Sequence, residues 1–121
     1  DDSARGVFQG KVHVAQDAQK TDGQQMSRAL LLSRKAEADV KPELEIYADD
    51  VICAHGATVG ELDETQLFYL ISRGISRDEA RAMLIAAFLN DAVDMIENVD
   101  LAAFLRPIVT DWMLAQKRND A

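Results

Sequence analysis

Position 61 divides the chain between two hydrophobic periods, and this division constrains the fold more tightly than any compositional figure. Before it, apolar and polar side chains alternate, the pattern of half-buried strands. In Phe8-Gln9-Gly10-Lys11-Val12-His13-Val14 the polar groups fall at every second position. Leu44, Ile46 and Ala48 repeat the alternation with Glu45, Tyr47 and Asp49 on the opposite face, and Ala29-Leu30-Leu31-Leu32 forms a short apolar run between them. Thr21-Asp22-Gly23, Val40-Lys41-Pro42 and Asp49-Asp50 are turn signals that would keep the strands short. Centred on Val12, Leu31 and Ile46, the runs recur at spacings of 19 and 15 residues, a loose internal period. Only Asp22-Gly23 has the two-residue form of a tight hairpin. Both a hairpin meander and a stacked parallel solenoid remain open on this pattern.

Beyond position 61 the punctuation is helical. Asp63 stands three residues before Gln66 in a variant capping box, with Leu62 and Leu67 at the staple positions. Leu67, Leu70 and Ile71 form an apolar stripe, and Gly74 is placed to end the helix in the left-handed conformation. Ser76 and Glu79 open a second helix that carries Ala80, Met83, Leu84, Ala87 and Phe88 and extends to about Glu97. Asp100 is expected to cap a third, with Leu101, Phe104, Leu105, Ile108 and Trp112 as its buried stripe. Pro107 predicts a kink, or a fresh helix start near Arg106. The polar end, Lys117 to Ala121, is expected to fray.

Hydrophobic residues make up 48% of the 121, which allows a packed core and argues against global disorder. The formal charge is −8: ten acidic against seven basic residues through position 60, eleven against six beyond it. An acidic surface of this kind argues against nucleic acid and anionic membranes as partners, both of which require cationic patches. The longest strongly apolar stretch, Ala82 to Leu89, is far short of the ~20 residues of a membrane span. One cysteine excludes an internal disulfide framework and suits a reducing compartment. The start, Asp1-Asp2-Ser3, is neither a Met start nor a targeting sequence, so the expectation is a cytoplasmic piece of a longer chain.

That cysteine, Cys53, lies two residues before His55 in Val51-Ile52-Cys53-Ala54-His55-Gly56-Ala57. On a strand this step puts thiol and imidazole on one face. Two donors are too few for a closed metal site, which usually takes about four ligands. Either the pair is a small buried thiol beside a hydrogen-bonded imidazole, or it is part of an iron, zinc or iron–sulfur ligand set completed by another chain. A thiol hydrolase is disfavoured, because no orienting group or oxyanion hole accompanies the pair. His13, on the polar face, reads as solvated, and Asp49-Asp50 as a turn rather than a metal site. On the second helix Arg77 and Arg81 share a face, while Ile85 and Leu89 widen the apolar stripe beyond what one packed face requires, a hint of a protein interface.

The stretch Lys41-Pro42-Glu43-Leu44-Glu45-Ile46-Tyr47-Ala48-Asp49-Asp50-Val51, continuing through Cys53-Ala54-His55-Gly56-Ala57-Thr58-Val59-Gly60, closely resembles the C-terminal region of the SufB/SufD family in its SufD branch. Asp63-Glu64-Thr65-Gln66-Leu67-Phe68-Tyr69-Leu70 with Ser72-Arg73-Gly74-Ile75, and the earlier run Gln16 to Gln25, resemble the same family. The likeness covers nearly the whole chain and weakens after Asn90. His55-Gly56-Ala57-Thr58-Val59-Gly60 has the SufD form, whereas SufB tends to carry a Glu after the matching His.

The family supplies scaffolds to the bacterial SUF iron–sulfur assembly machinery. The resemblance implies a partial right-handed parallel β-helix over residues 1–60 and a C-terminal helical domain over 61–121. It implies a non-enzymatic scaffold that pairs with SufB, each partner bound through its helical end to a SufC ATPase. His55 matches the histidine at the SufB junction, opposite a SufB cysteine where a nascent cluster forms, and Cys53 holds a neighbouring family position. On this reading the chain alone holds no cofactor, and iron or an iron–sulfur cluster sits transiently at the SufB–SufD interface. Arg77, Arg81, Ile85 and Leu89 are the expected ATPase contact. The family's chains are much longer, so this piece is expected to self-associate through its open apolar end. The alternatives are a SufB-like scaffold and a purely structural interaction module in which Cys53 and His55 only pack.

Overall fold

The computed structural model describes residues 3–119 and separates into two compact units, Asp1–Glu61 and Leu62–Ala121. The first unit holds four strands: β1 (Arg5–Val14), β2 (Asp22–Leu31), β3 (Glu37–Ile46) and β4 (Ile52–Glu61). The second holds three helices: α1 (Glu64–Ser72), α2 (Arg77–Asp94) and α3 (Val99–Asn119).

The strands pair in parallel, each with the second strand along the chain. Arg5 stands opposite Glu37 and Val14 opposite Ile46 in the β1–β3 ladder. Asp22 stands opposite Ile52 and Leu31 opposite Glu61 in the β2–β4 ladder. The result is two separate two-stranded sheets, which corrects the expected partial right-handed parallel β-helix. Four strands give each strand a single partner, and no hydrogen-bonded ladder among the described residues closes the two sheets into a coil. The 19- and 15-residue spacings were distances between successive strands, whereas the ladders join residues about twice as far apart.

Two of the expected turns lie inside strands. Asp22-Gly23 begins β2, and Val40-Lys41-Pro42 runs through the middle of β3. Pro42 is tolerated there for a reason that can be read from the ladder. Glu37 N donates to Ala4 O and Tyr47 N to Val14 O, so the odd-numbered residues of β3 bond to β1. Backbone groups alternate sides along a strand, and Pro42 therefore turns its missing donor toward the unpaired edge. A proline there also blunts that edge against further pairing.

Beyond the strands, Asp49-Asp50 lies in the connection to β4, as expected of a turn. Lys20, at φ 67° in the left-handed region, donates its backbone N–H to Asp50 O and pairs its Nζ with the Asp50 carboxylate. Outer-face ion pairs cross the first sheet: Arg5–Asp39 at 2.5 Å and Lys11–Glu45 at 2.6 Å. His13 is exposed, as its polar face implied, and its ring lies 5.3 Å from that of Tyr47.

In the helical unit the local signals hold. Asp63 accepts from the N–H groups of Thr65 and Gln66, and Ser76 accepts from that of Glu79. Gly74 ends α1 at φ 89°, where Gly74 N donates to Ile71 O and Ile75 N to Leu70 O. Three expectations are corrected. Helix α2 ends at Asp94, and Asn98 rather than Asp100 caps α3, accepting from Leu101 N. Pro107 lies inside one continuous helix, so no fresh helix starts near Arg106. Lys117 to Asn119 are helical, and Asp120 and Ala121 of the expected frayed end lie outside the described residues.

Among the described residues the buried apolar side chains are few and mostly small: Val14 and Ala48 in the first unit, Leu67, Ala80, Val93 and Ala102 in the second. The composition permits a larger core than these residues form. Much of the apolar surface faces outward instead.

Candidate functional site

Cys53 and His55 lie on β4 with their side chains on its inner face, as the two-residue step required. The inner face can be followed layer by layer. Cys53 stands opposite Gly23 in the β2–β4 ladder, and a Cβ on Gly23 would lie 3.5 Å from Cys53 Sγ and 3.7 Å from Val12 of the facing sheet. Cys53 is accordingly half-buried. The next layer pairs His55 with Gln25 across the ladder, facing Gly10 of β1. Beyond it the face opens into a cleft of about 550 Å³, lined among others by Phe8, Val40, Ala57 and Val59. His55 is exposed and stands between this packed end and this open one.

On the other face of β4, Met26 lies over Gly56. A Cβ there would come within 2.9 Å of the Met26 methyl group, so only glycine leaves that space free. The backbone of β4 carries a second feature. Ile52 N donates to Thr21 O, so even-numbered residues bond to β2, and the N–H and C=O groups of Cys53, His55, Ala57 and Val59 point to the opposite edge. Among the described residues no strand pairs with that edge.

Among the described residues no group of three or more His, Cys, Asp or Glu side chains comes together to hold a metal. A thiol and an imidazole alone can contribute to an iron or zinc site only if donors come from elsewhere.

The four helical residues singled out in the sequence lie on α2. Arg77 opens it and pairs with Glu64 at 3.8 Å; Arg81, Ile85 and Leu89 are half-buried. The more exposed apolar face belongs to α3, where the stripe expected to be buried is largely open: Leu101 is 48% exposed, Phe104 66%, Ile108 51% and Trp112 47%, with Leu105 half-buried. The periodicity identified this stripe but not its exposure, because an amphipathic pattern marks a face without naming what covers it.

The SufBD core domain family of SUF system FeS cluster assembly matches residues 1–88, and the chain belongs to that family. Its relatives include the iron–sulfur cluster assembly protein SufD of Escherichia coli, 51% identical over 100 residues that make up 83% of this chain and 24% of the relative. A SufBD family protein of Synechocystis, slr0076, is 47% identical over 91% of this chain and 24% of its own length. SufD of Bacillus subtilis is 44% identical over 77% of this chain and 21% of its own length. The chain thus spans about a quarter of the length of these three relatives. No helix among the described residues is long and apolar enough to cross a membrane.

Proposed function

We propose that this chain is part of a SufD-like scaffold for iron–sulfur cluster assembly, and that His55, with Cys53 beside it, supplies an incomplete ligand set to iron or a forming cluster. The observation that carries this reading is the coincidence of those two side chains with the unpaired edge of β4. A strand added at that edge by a second protein would bring its own side chains beside His55, which is how two donors become four. A SufB-type partner fits this role. The scaffold itself performs no bond-making chemistry; it holds the cluster as cargo.

The helical unit is proposed to dock a SufC-type ATPase. The open apolar stripe of α3 supports this, since a row of four large side chains between 47% and 66% exposed is surface that a partner can bury. Arg77 and Arg81 at the start of α2 would lie at the rim of such a contact. ATP-driven movement of the ATPase would then shift the cluster site between two conformations.

The test is iron and sulfide analysis of the full-length protein co-purified with SufB and SufC. His55→Ala is expected to lose most of the bound iron while the complex and its melting temperature stay intact. Unchanged iron content would eliminate His55 as a ligand and leave a purely structural module.

A further inference from the structure

Among the described residues one buried side-chain polar atom of the first unit lacks a partner. Gln25 Oε1 is buried and makes no hydrogen bond. Burying an acceptor in this way costs roughly 1–3 kcal/mol, so its persistence calls for a role. The carboxamide nitrogen of Gln25 packs over Gly10, which has no side chain, and Gly10's ladder partner is Pro42, which has no donor of its own. On its own sheet Gln25 stands directly opposite His55. In-register residues of neighbouring parallel strands put their side chains side by side on one face, about 4.8 Å apart at the backbone. His55 therefore brings the one ring N–H in that layer. The remaining donors on this face, the Cys53 thiol and the Ser27 hydroxyl, belong to the layers on either side.

We propose that Gln25 is a positioning residue for His55: a rotation of the imidazole toward its ladder neighbour lets the buried, otherwise unpartnered Oε1 accept the ring N–H, which fixes the tautomer and turns the other ring nitrogen, with its lone pair, toward the open edge of β4. A neutral imidazole has one donor and one acceptor nitrogen, and the partner of the first decides which nitrogen is free for a metal. Metal-binding histidines are commonly held this way by a neighbouring acceptor. The value of this device for metal binding rests on the function proposed above, but the tautomer itself does not require metal or partner.

The experiment is therefore done on the metal-free, full-length protein with its histidines labelled with ¹⁵N. His55 is assigned by comparison with His55→Asn, at about pH 8, where an ordinary imidazole is neutral. One tautomer of His55 is expected to dominate. Gln25→Met, similar in shape but without the acceptor, should shift the ratio by about tenfold toward the ordinary mixture, the effect of one hydrogen bond. Ser27→Ala should leave the ratio unchanged. A mixed population already present in the wild-type protein would overturn the proposal without recourse to any variant. So would a ratio indifferent to Gln25→Met, or one that follows Ser27→Ala instead. Because no metal is present, none of these results bears on the iron-content test of His55→Ala, and the two proposals fail separately.

Discussion

The carboxamide of Gln25 occupies the space that a side chain at Gly10 would need, with the Phe8 ring about 3 Å from the same point. The two sheets approach closely at this layer because one of the facing positions is glycine.

Gly10→Ala should accordingly lower stability by about 1–3 kcal/mol, the range for overfilling a packed interior. Gly6, on the same strand, has nothing within 4 Å of its Cβ position. Gly6→Ala is the control, expected to be neutral or slightly stabilising in denaturant unfolding of the full-length protein.

The edge of β4 gives a contrast between two proline substitutions. Ala54 bonds to β2 whereas Ala57 faces the unpaired edge. Ala54→Pro should lose a ladder hydrogen bond and leave a carbonyl unsatisfied, at about 1–3 kcal/mol. Ala57→Pro should melt like the wild type yet weaken association with a SufB-type partner, measured by size-exclusion chromatography of the mixed proteins. Equal association by both proteins would remove β4 as the pairing edge.

On α3, exposure and burial predict opposite outcomes. Phe104→Ser, at a position 66% exposed, should leave thermal stability within experimental scatter and reduce ATPase co-purification. Leu67→Ala on α1, only 3% exposed, should destabilise by about 2–5 kcal/mol. A Phe104→Ser protein that binds the ATPase normally would exclude this face.

The start of α1 depends on one side chain. Asp63→Ala removes the acceptor for the N–H groups of Thr65 and Gln66 and should cost about 1 kcal/mol. Asp63→Asn should restore most of that loss.

Acid sensitivity has an identifiable contributor. Lys41, hydrogen-bonded to Glu43 at 2.8 Å, holds that carboxyl below its ordinary value of 4.5. A depressed carboxyl stabilises the fold fully above its unfolded value, and the contribution is lost as pH falls through the lower folded value. In Lys41→Met the acid unfolding limb should therefore move to higher pH, by a small amount that shrinks further with added salt because the pair is exposed.

What could be read from the chain beforehand follows the range of the forces involved. Asp63, Ser76 and Gly74 were legible because a cap or a left-handed stop is decided by neighbours within four residues. The shared face of Cys53 and His55 followed from strand alternation alone. Pro42 and Asp22-Gly23 were misread as turns because their tolerance depends on which strand lies beside them and which way its bonds point. The same limitation concealed Gln25, whose significance comes from residues 15 positions earlier and 30 later. The α3 stripe was legible as a face but not as a surface, since its exposure depends on what lies outside the chain.

The two sheets finish unequally at the strands last in sequence: β3 ends its sheet with Pro42, while β4 ends its own with a run of free backbone groups around His55. Recruitment at this end is thus asymmetric. A strand added to β4 would follow a frame dictated by alternate residues of a ten-residue template, whereas the flank offered by β3 is interrupted at Pro42.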